Sequence, residues 1–164
     1  LGAISAGAAQ VIAVDLSDDK LTIARDLGAT ATVNARDADA VDKVRQLTNG
    51  GADFAFEFAG SEKALESAYR MTRRGGTTVT AGLPAPTATL PLNIVSLVAE
   101  ERTLKGSYIG TCVPVRDIPR YVALYKSGRL PVNKLLSGEI PLDEINEGFD
   151  RLHRGEVIRL VVQM

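Results

Sequence analysis

The chain has 164 residues, 45% of them hydrophobic and 24% charged, with a formal charge of −1. That length allows one domain with a sizeable core, and the near-neutral balance excludes a basic stripe able to displace counterions from nucleic acid. No apolar run approaches the ~20 residues needed to span a bilayer.

In chain order, apolar strand-like runs alternate with amphipathic helical stretches, the pattern of a parallel sheet covered on both faces. The apolar start, residues 1–8, has no preceding positive charge and reads as the end of a helix rather than as a signal peptide. Residues 10–15 read as a strand. Ser17 then caps a helix from Asp18 to Leu27 that Gly28 stops. Thr30–Asn34 is a short β-branched strand, and Asp39–Thr48 a helix closed by Asn49-Gly50-Gly51. Asp53–Phe58 is the next strand, followed by a helix at 62–72, a turn at Arg73-Arg74-Gly75-Gly76 and a strand at 77–81. A loop dense in proline and glycine spans 82–87, leading through a short helix at 93–99 to a strand from Arg102 to Ile109. A helix at 117–126, an extended stretch at 135–140, a helix capped by Asp143 and running to His153, and a strand at 157–162 complete the chain. No repeat, low-complexity tract or linker interrupts it, so residues 1–164 read as one domain.

Cysteine and histidine carry further information. A single cysteine, Cys112, permits no intrachain disulfide, which suits a reducing, cytoplasmic setting. With one histidine, His153, besides, the chain cannot assemble a Cys/His zinc site of three or four ligands. Any catalytic metal is expected to be held by residues outside it.

Asp15 is the most informative single residue. It ends an apolar run and stands directly before a helix. In a nucleotide-binding α/β sheet, an acid at the tip of the second strand accepts hydrogen bonds from both hydroxyls of a ribose. The same charge repels the 2′-phosphate that distinguishes NADP from NAD. Leu16, where an arginine could have neutralised that phosphate, points the same way. Such an acid belongs about 20 residues after a G-x-G-x-x-G turn, yet only 14 residues precede it. The expectation is therefore a dinucleotide-binding domain lacking its first strand and glycine turn.

Several segments together resemble the C-terminal portion of a medium-chain alcohol dehydrogenase of the zinc-dependent type. They are Gly7-Ala-Ala-Gln-Val-Ile-Ala-Val-Asp15, Asp19-Lys20, Leu27-Gly-Ala-Thr30, Gly51-Ala-Asp-Phe-Ala-Phe-Glu57 and Phe58-Ala-Gly60. Further on stand Gly82-Leu-Pro84, Leu104-Lys-Gly-Ser-Tyr-Ile-Gly110, Ile145-Asn-Glu-Gly-Phe-Asp150 and Gly155-Glu-Val-Ile-Arg159. The resemblance implies a doubly wound, three-layer Rossmann-type α/β fold with NAD across the C-terminal edge of a parallel sheet. It implies a separate zinc-bearing domain and hydride transfer between an alcohol and NAD. Asp15 and Lys20 would hold the adenosine ribose, and Phe58, Ala59 and Gly60 would line the path from adenine to nicotinamide. Ala81, Gly82 and Leu83 would flank the nicotinamide ribose and carboxamide, Ser107, Tyr108 and Ile109 would offer backbone groups to the carboxamide, and Arg159 would contact the pyrophosphate. It also implies a homodimer or homotetramer joined through the edge strand Arg102–Ile109.

In the strand order 3-2-1-4-5-6, the absent first strand lies between those ending at Asp15 and Phe58. Two interior edges are then left with unpaired backbone groups, and the 164-residue polypeptide alone is expected to fold poorly or aggregate. No catalytic residue is expected within it. Bland readings stand beside the sharp ones. Asp15 could be a turn acid, Lys20 a surface lysine, and the loop 82–87 either an ordinary connection or a hinge. Glu57 could be a general base, though a hydrogen-bonded carboxylate at a strand end is the simpler reading. His153, Cys112 and Arg73-Arg74 read as surface or inert groups. As functions, a zinc-free enone or quinone reductase, a methyltransferase marked by a final antiparallel strand, and an inactive dimerising remnant are the alternatives.

Overall fold

A computed structural model describes all 164 residues. The backbone gathers into two compact units, one of Ile12–Val113 and one of Leu1–Val11 with Pro114–Met164. Neither junction carries a Gly/Pro/Ser-rich linker, which is why the sequence alone shows no boundary there.

The first unit holds strands β1 (Ile12–Asp15), β2 (Ala31–Asn34), β3 (Ala52–Glu57), β4 (Thr72–Thr80) and β5 (Thr103–Gly106). Between them run α2 (Asp18–Asp26), α3 (Ala40–Leu47), α4 (Glu62–Met71) and α5 (Ile94–Ala99). Every strand pair is parallel, in two sheets ordered β1-β2 and β3-β4-β5. β1 and β3 each pair on one side only. Ser17 begins α2 with its Oγ accepting the Lys20 N–H at a long 3.4 Å, and Asp18 and Asp19 place negative charge in the first turn. Gly28, at φ +103°, follows its end, a left-handed conformation that costs glycine little.

An apolar core and a set of polar bonds between elements join this unit. Val33 from β2, Ala40 and Val44 from α3 and Met71 from α4 form one core, with Ile12 and Val41 against it. Arg45 of α3 donates from Nη1 to the Arg70 and Thr72 carbonyls at 3.1 and 3.4 Å. Thr72 and Thr78 are wholly buried, and their hydroxyls meet at 2.8 Å while Thr72 also bonds the Ala68 carbonyl at 2.8 Å. Such pairing is what makes a buried hydroxyl tolerable. The Arg102 guanidinium lies 4.8 Å over the Tyr69 ring, and Tyr69 Oη meets Ser96 Oγ at 3.0 Å, seating α5 beside α4.

The second unit holds α1 (Gly2–Ser5), α6 (Pro114–Lys126), β6 (Gly138–Pro141), α7 (Ile145–His153) and β7 (Leu160–Gln163). β6 and β7 pair in parallel. Gly148 lets α7 approach that pair closely, since a Cβ there would stand 2.5 Å from Ile140 Cδ1.

Several sequence expectations differ from these bounds. The strand expected to reach Ile109 stops at Gly106, because Ile109, Gly110 and Thr111 take φ of 50°, 64° and 55°, values no strand can continue through. The turn expected at 73–76 lies inside β4 as an irregularity, opened by Gly75 at φ +66°. The extended stretch expected at 135–140 is β6, starting at Gly138, and a 3₁₀ turn at Val132–Leu135 precedes it. Asp143 does not cap α7. A 3₁₀ turn at Leu142–Glu144 precedes the helix, whose cap position is Glu144 and carries no side-chain cap.

Candidate functional site

Asp15 closes β1 beside Asn34 at the end of β2. Its carboxylate is half-buried, and its Oδ1 accepts the Ser17 N–H at 2.9 Å, a bond that holds the side chain at the turn into α2. A carboxylate has about four lone-pair sites, so this one bond leaves capacity for a diol. Asn34 in turn donates from Nδ2 to Asp18 Oδ1 at 2.7 Å and accepts the Arg36 N–H at 2.9 Å. Lys20 is exposed one turn into α2. The groups at this strand tip suit a ribose: an anchored acid, and an exposed lysine in the first turn of the following helix.

The ends of β3, β4 and β5 form a second cluster. Glu57 is 4% exposed, and its Oε1 accepts the Gly60 N–H at 2.6 Å while its Oε2 accepts the Thr80 hydroxyl at 2.8 Å. The Glu57 carbonyl accepts the Ala81 and Gly82 N–H groups at 2.9 and 3.2 Å. The Thr80 carbonyl accepts the Ser107 N–H at 2.8 Å. Gly60 and Gly82 cross with no room for side chains. A Cβ on Gly82 would lie 2.1 Å from Gly60 N, and one on Gly60 would lie 2.7 Å from Leu83 O. Above this crossing Phe58 and Leu83 are 74% and 84% exposed, and Tyr108 and Ile109 are 77% and 70% exposed. A cleft beside it is lined by Glu57, Ser61, Leu65, Thr80, Pro84 and Leu90. Glu62 Oε1 accepts the Thr89 N–H at 3.0 Å, tying the far end of the proline-rich loop to α4.

The expected residues thus fall into groups. Phe58, Ala59, Gly60, Ala81, Gly82, Leu83 and Ser107 meet at one sheet's strand ends, with Tyr108 and Ile109 following directly. Asp15 and Lys20 stand at the tip of the other sheet of the same unit. Arg159 belongs to the second unit, where it is exposed and its backbone bonds Ser137: its carbonyl accepts the Ser137 N–H at 2.8 Å and its N–H donates to Ser137 Oγ at 3.3 Å. Glu57 is a hydrogen-bonded carboxylate at a strand end, the simpler of its two readings. Thr80 was not foreseen at all. Its only signal is its place one residue before Ala81-Gly82.

Two ion-paired groups have displaced ionisation. The Asp39 carboxyl is held below its usual range, chiefly by the hydrogen bond from Lys43, and Lys43 is raised by Asp37 and Asp39. Beyond α7, Arg154 holds the Glu156 carboxyl down in the same way and is itself raised by Glu156 and Glu147. No three His, Cys, Asp or Glu side chains converge to hold a metal ion. The residues of this chain therefore do not fit a zinc site, and no chemical step is assigned to zinc within it. No helix is long and apolar enough to cross a membrane.

Comparison with known proteins agrees with this geometry. The family model described as zinc-binding dehydrogenase matches residues 1–127. Alcohol dehydrogenase 1 of Oryza sativa subsp. indica is 38% identical over 99% of this chain, and that of Pisum sativum 35% identical over 99%. The chain spans 44% and 43% of those relatives' lengths. Among solved structures, an alcohol dehydrogenase zinc-binding domain protein from Burkholderia ambifaria superposes with a TM-score of 0.94 at 31% identity, covering 99% of this chain and 44% of that one. Benzyl alcohol dehydrogenase from Acinetobacter calcoaceticus superposes at 0.92 with 29% identity, covering 96% and 43%. The fold is the Rossmann-type α/β arrangement. The parallel β6–β7 pair lacks the antiparallel ending that would have marked a methyltransferase. The chain belongs to the zinc-binding dehydrogenase family.

Proposed function

We propose that this chain is the NAD-binding portion of an alcohol dehydrogenase that moves a hydride between an alcohol and NAD, giving an aldehyde or ketone. The observation that carries the reading is the Asp15 carboxylate, fixed at the tip of a parallel strand by the Ser17 N–H at 2.9 Å. Bound there, NAD supplies the hydride acceptor. The chain's own residues bind and orient it. Asp15 and Lys20 take the adenosine ribose, and Phe58, Ala59 and Gly60 border the path toward the nicotinamide. Ala81, Gly82 and Leu83 flank the nicotinamide ribose, and the backbone of Ser107, Tyr108 and Ile109 faces the carboxamide. Zinc is assigned to residues outside this chain.

The enzyme works in the cytoplasm as a dimer or tetramer. Supporting the assembly, β5 pairs only with β4, so its other edge is open. Nearby apolar side chains are uncovered, with Ile94, Val95 and Val98 of α5 71%, 72% and 71% exposed. A parallel edge this bare invites a second copy.

Fluorescence titration of the intact enzyme with NADH and NADPH tests the cofactor assignment. NADH is expected to bind at least tenfold more tightly, and Asp15→Gly to shrink that ratio by about tenfold or more, since one lost repulsion of about 1.4 kcal/mol is a factor of ten. Preference of the unmutated enzyme for NADPH would refute the role of Asp15 and favour the zinc-free reductase reading.

A further inference from the structure

We infer that Glu57 is a positioning residue for the nicotinamide half of the cofactor, acting through the two loops it holds; this rests on the NAD-binding reading above. The argument is one of connectivity. Three backbone segments border the nicotinamide side, at 58–60, 81–83 and 107–109, and each is the overhang of a different strand. Beyond the sheet only a few backbone bonds remain, from the Ala81 and Gly82 N–H groups to the Glu57 carbonyl and from the Ser107 N–H to the Thr80 carbonyl. Here one buried side chain holds the first of them directly and grips Thr80, the residue from which the second departs and to which the third is bonded. Glu57 Oε1 takes the Gly60 N–H, and Oε2 takes the hydroxyl of Thr80, the last residue of β4. Thr80, so fixed, presents its carbonyl to the Ser107 N–H.

The chemistry of the acceptor matters. Both groups facing the carboxylate can donate, an N–H and an O–H, and an ionised carboxylate only accepts. The Gly60 bond is short at 2.6 Å, as charge-assisted N–H bonds are, and the Thr80 bond at 2.8 Å has the ordinary O–H···O length. With both oxygens engaged by the protein and the group 4% exposed, Glu57 is poorly placed to exchange protons with a substrate. Its work is to fix the spacing between Gly60 and Gly82, whose backbones already touch without side chains. Asp15 lies in the other sheet, and no bond of this cluster reaches it. The clasp should therefore govern the nicotinamide end of the cofactor and leave the adenosine end alone.

That separation supplies the test. In the intact enzyme, NADH affinity is measured by fluorescence titration and 5′-AMP affinity by calorimetry, for Glu57→Ala, Glu57→Gln, Thr80→Val and Thr80→Ser. Glu57→Ala is expected to weaken NADH at least tenfold and leave 5′-AMP within about threefold. Glu57→Gln keeps an acceptor for Gly60 and can donate to the Thr80 hydroxyl, so it should stay within about threefold for both. Thr80→Val should weaken NADH about three- to fivefold, and Thr80→Ser should bind as the unmutated enzyme does. If Glu57→Ala fails to fold, the two Thr80 variants decide. A folded Glu57→Ala or Thr80→Val enzyme with unchanged NADH affinity overturns the proposal. So does equal loss of NADH and 5′-AMP, which would mark a merely structural residue. An unmutated enzyme that binds neither ligand instead refutes the NAD-binding reading itself.

Discussion

Gly82→Ala probes the loop crossing with the smallest possible change. The added Cβ would lie 2.1 Å from Gly60 N, 2.6 Å from Gly60 Cα and 2.9 Å from Phe58 C. All three neighbours are backbone atoms, so no rotamer change relieves the overlap. Ordinary contact begins near 3.4 Å, and the loops must part by about 1.3 Å to reach it. Overpacking of this kind costs about 1–3 kcal/mol. Two assays show where the cost goes. If the crossing holds, the folded state carries the strain, and the melting temperature falls by about 2–4 °C per kcal/mol for a protein of this size or larger. If the loops part, the border proposed for the nicotinamide moves by about 1 Å and NADH affinity is expected to fall at least tenfold. Gly138→Ala is the control, since its nearest neighbour would be Leu160 Cδ2 at an unstrained 3.9 Å. A folded Gly82→Ala enzyme that melts and binds NADH like its parent would refute the reasoning.

Two further predictions concern stability. Thr72→Val strips the partner from the Thr78 hydroxyl, buried at 0% exposure, and should cost about 1–3 kcal/mol in urea unfolding. Thr72→Val with Thr78→Val should lie closer to the parent than the two single losses added, and strict additivity would refute the pairing. Lys43→Met removes the cation that holds Asp39 below its usual range. That stabilisation is present above the ordinary carboxylate range and disappears as acid titrates Asp39 through its lowered value. The Lys43 side of the pair, raised, is lost only as alkali passes its raised value. The variant should therefore melt lower at neutral pH, by about 2 °C or less because the pair is exposed. The difference should vanish in acid and at high salt, and a difference that persists once Asp39 is protonated would refute the attribution.

The order and type of the elements were legible because each carries its own period and punctuation: Ser17 before α2, Gly28 after it, and the β-branched run at Ala31–Asn34. Asp15 was legible for the same reason, as an acid at the seam between a strand and a cap. The end of β5 was not. Ile109 and Thr111 are β-branched residues whose local preference is extended, yet they sit at φ 50° and 55°. Only the surrounding fold can impose that, so local propensity extends the strand three residues too far.

The Glu57 clasp lay further from sight, because it depends on register rather than on either residue's identity. Ala52 pairs with Thr72, but Phe54 pairs with Thr77, so β4 spends three more residues than β3 over that interval. Without that irregularity, Glu57 would oppose Thr77 instead of Thr80. A hydroxyl would still face the carboxylate, so the side-chain chemistry alone does not identify the register. What would be lost is the crossing. Ala81 and Gly82 would be carried about three residues beyond the Glu57 carbonyl that now accepts their N–H groups. The slack is taken up at Gly75, with its φ of +66° and its N–H on the Glu100 carbonyl at 2.8 Å, and at Gly76, where a Cβ would stand 2.6 Å from Thr72 Cγ2. Two glycines midway along β4 thus decide which residues meet Gly60. That dependence on distant backbone is invisible to any motif drawn around the cofactor.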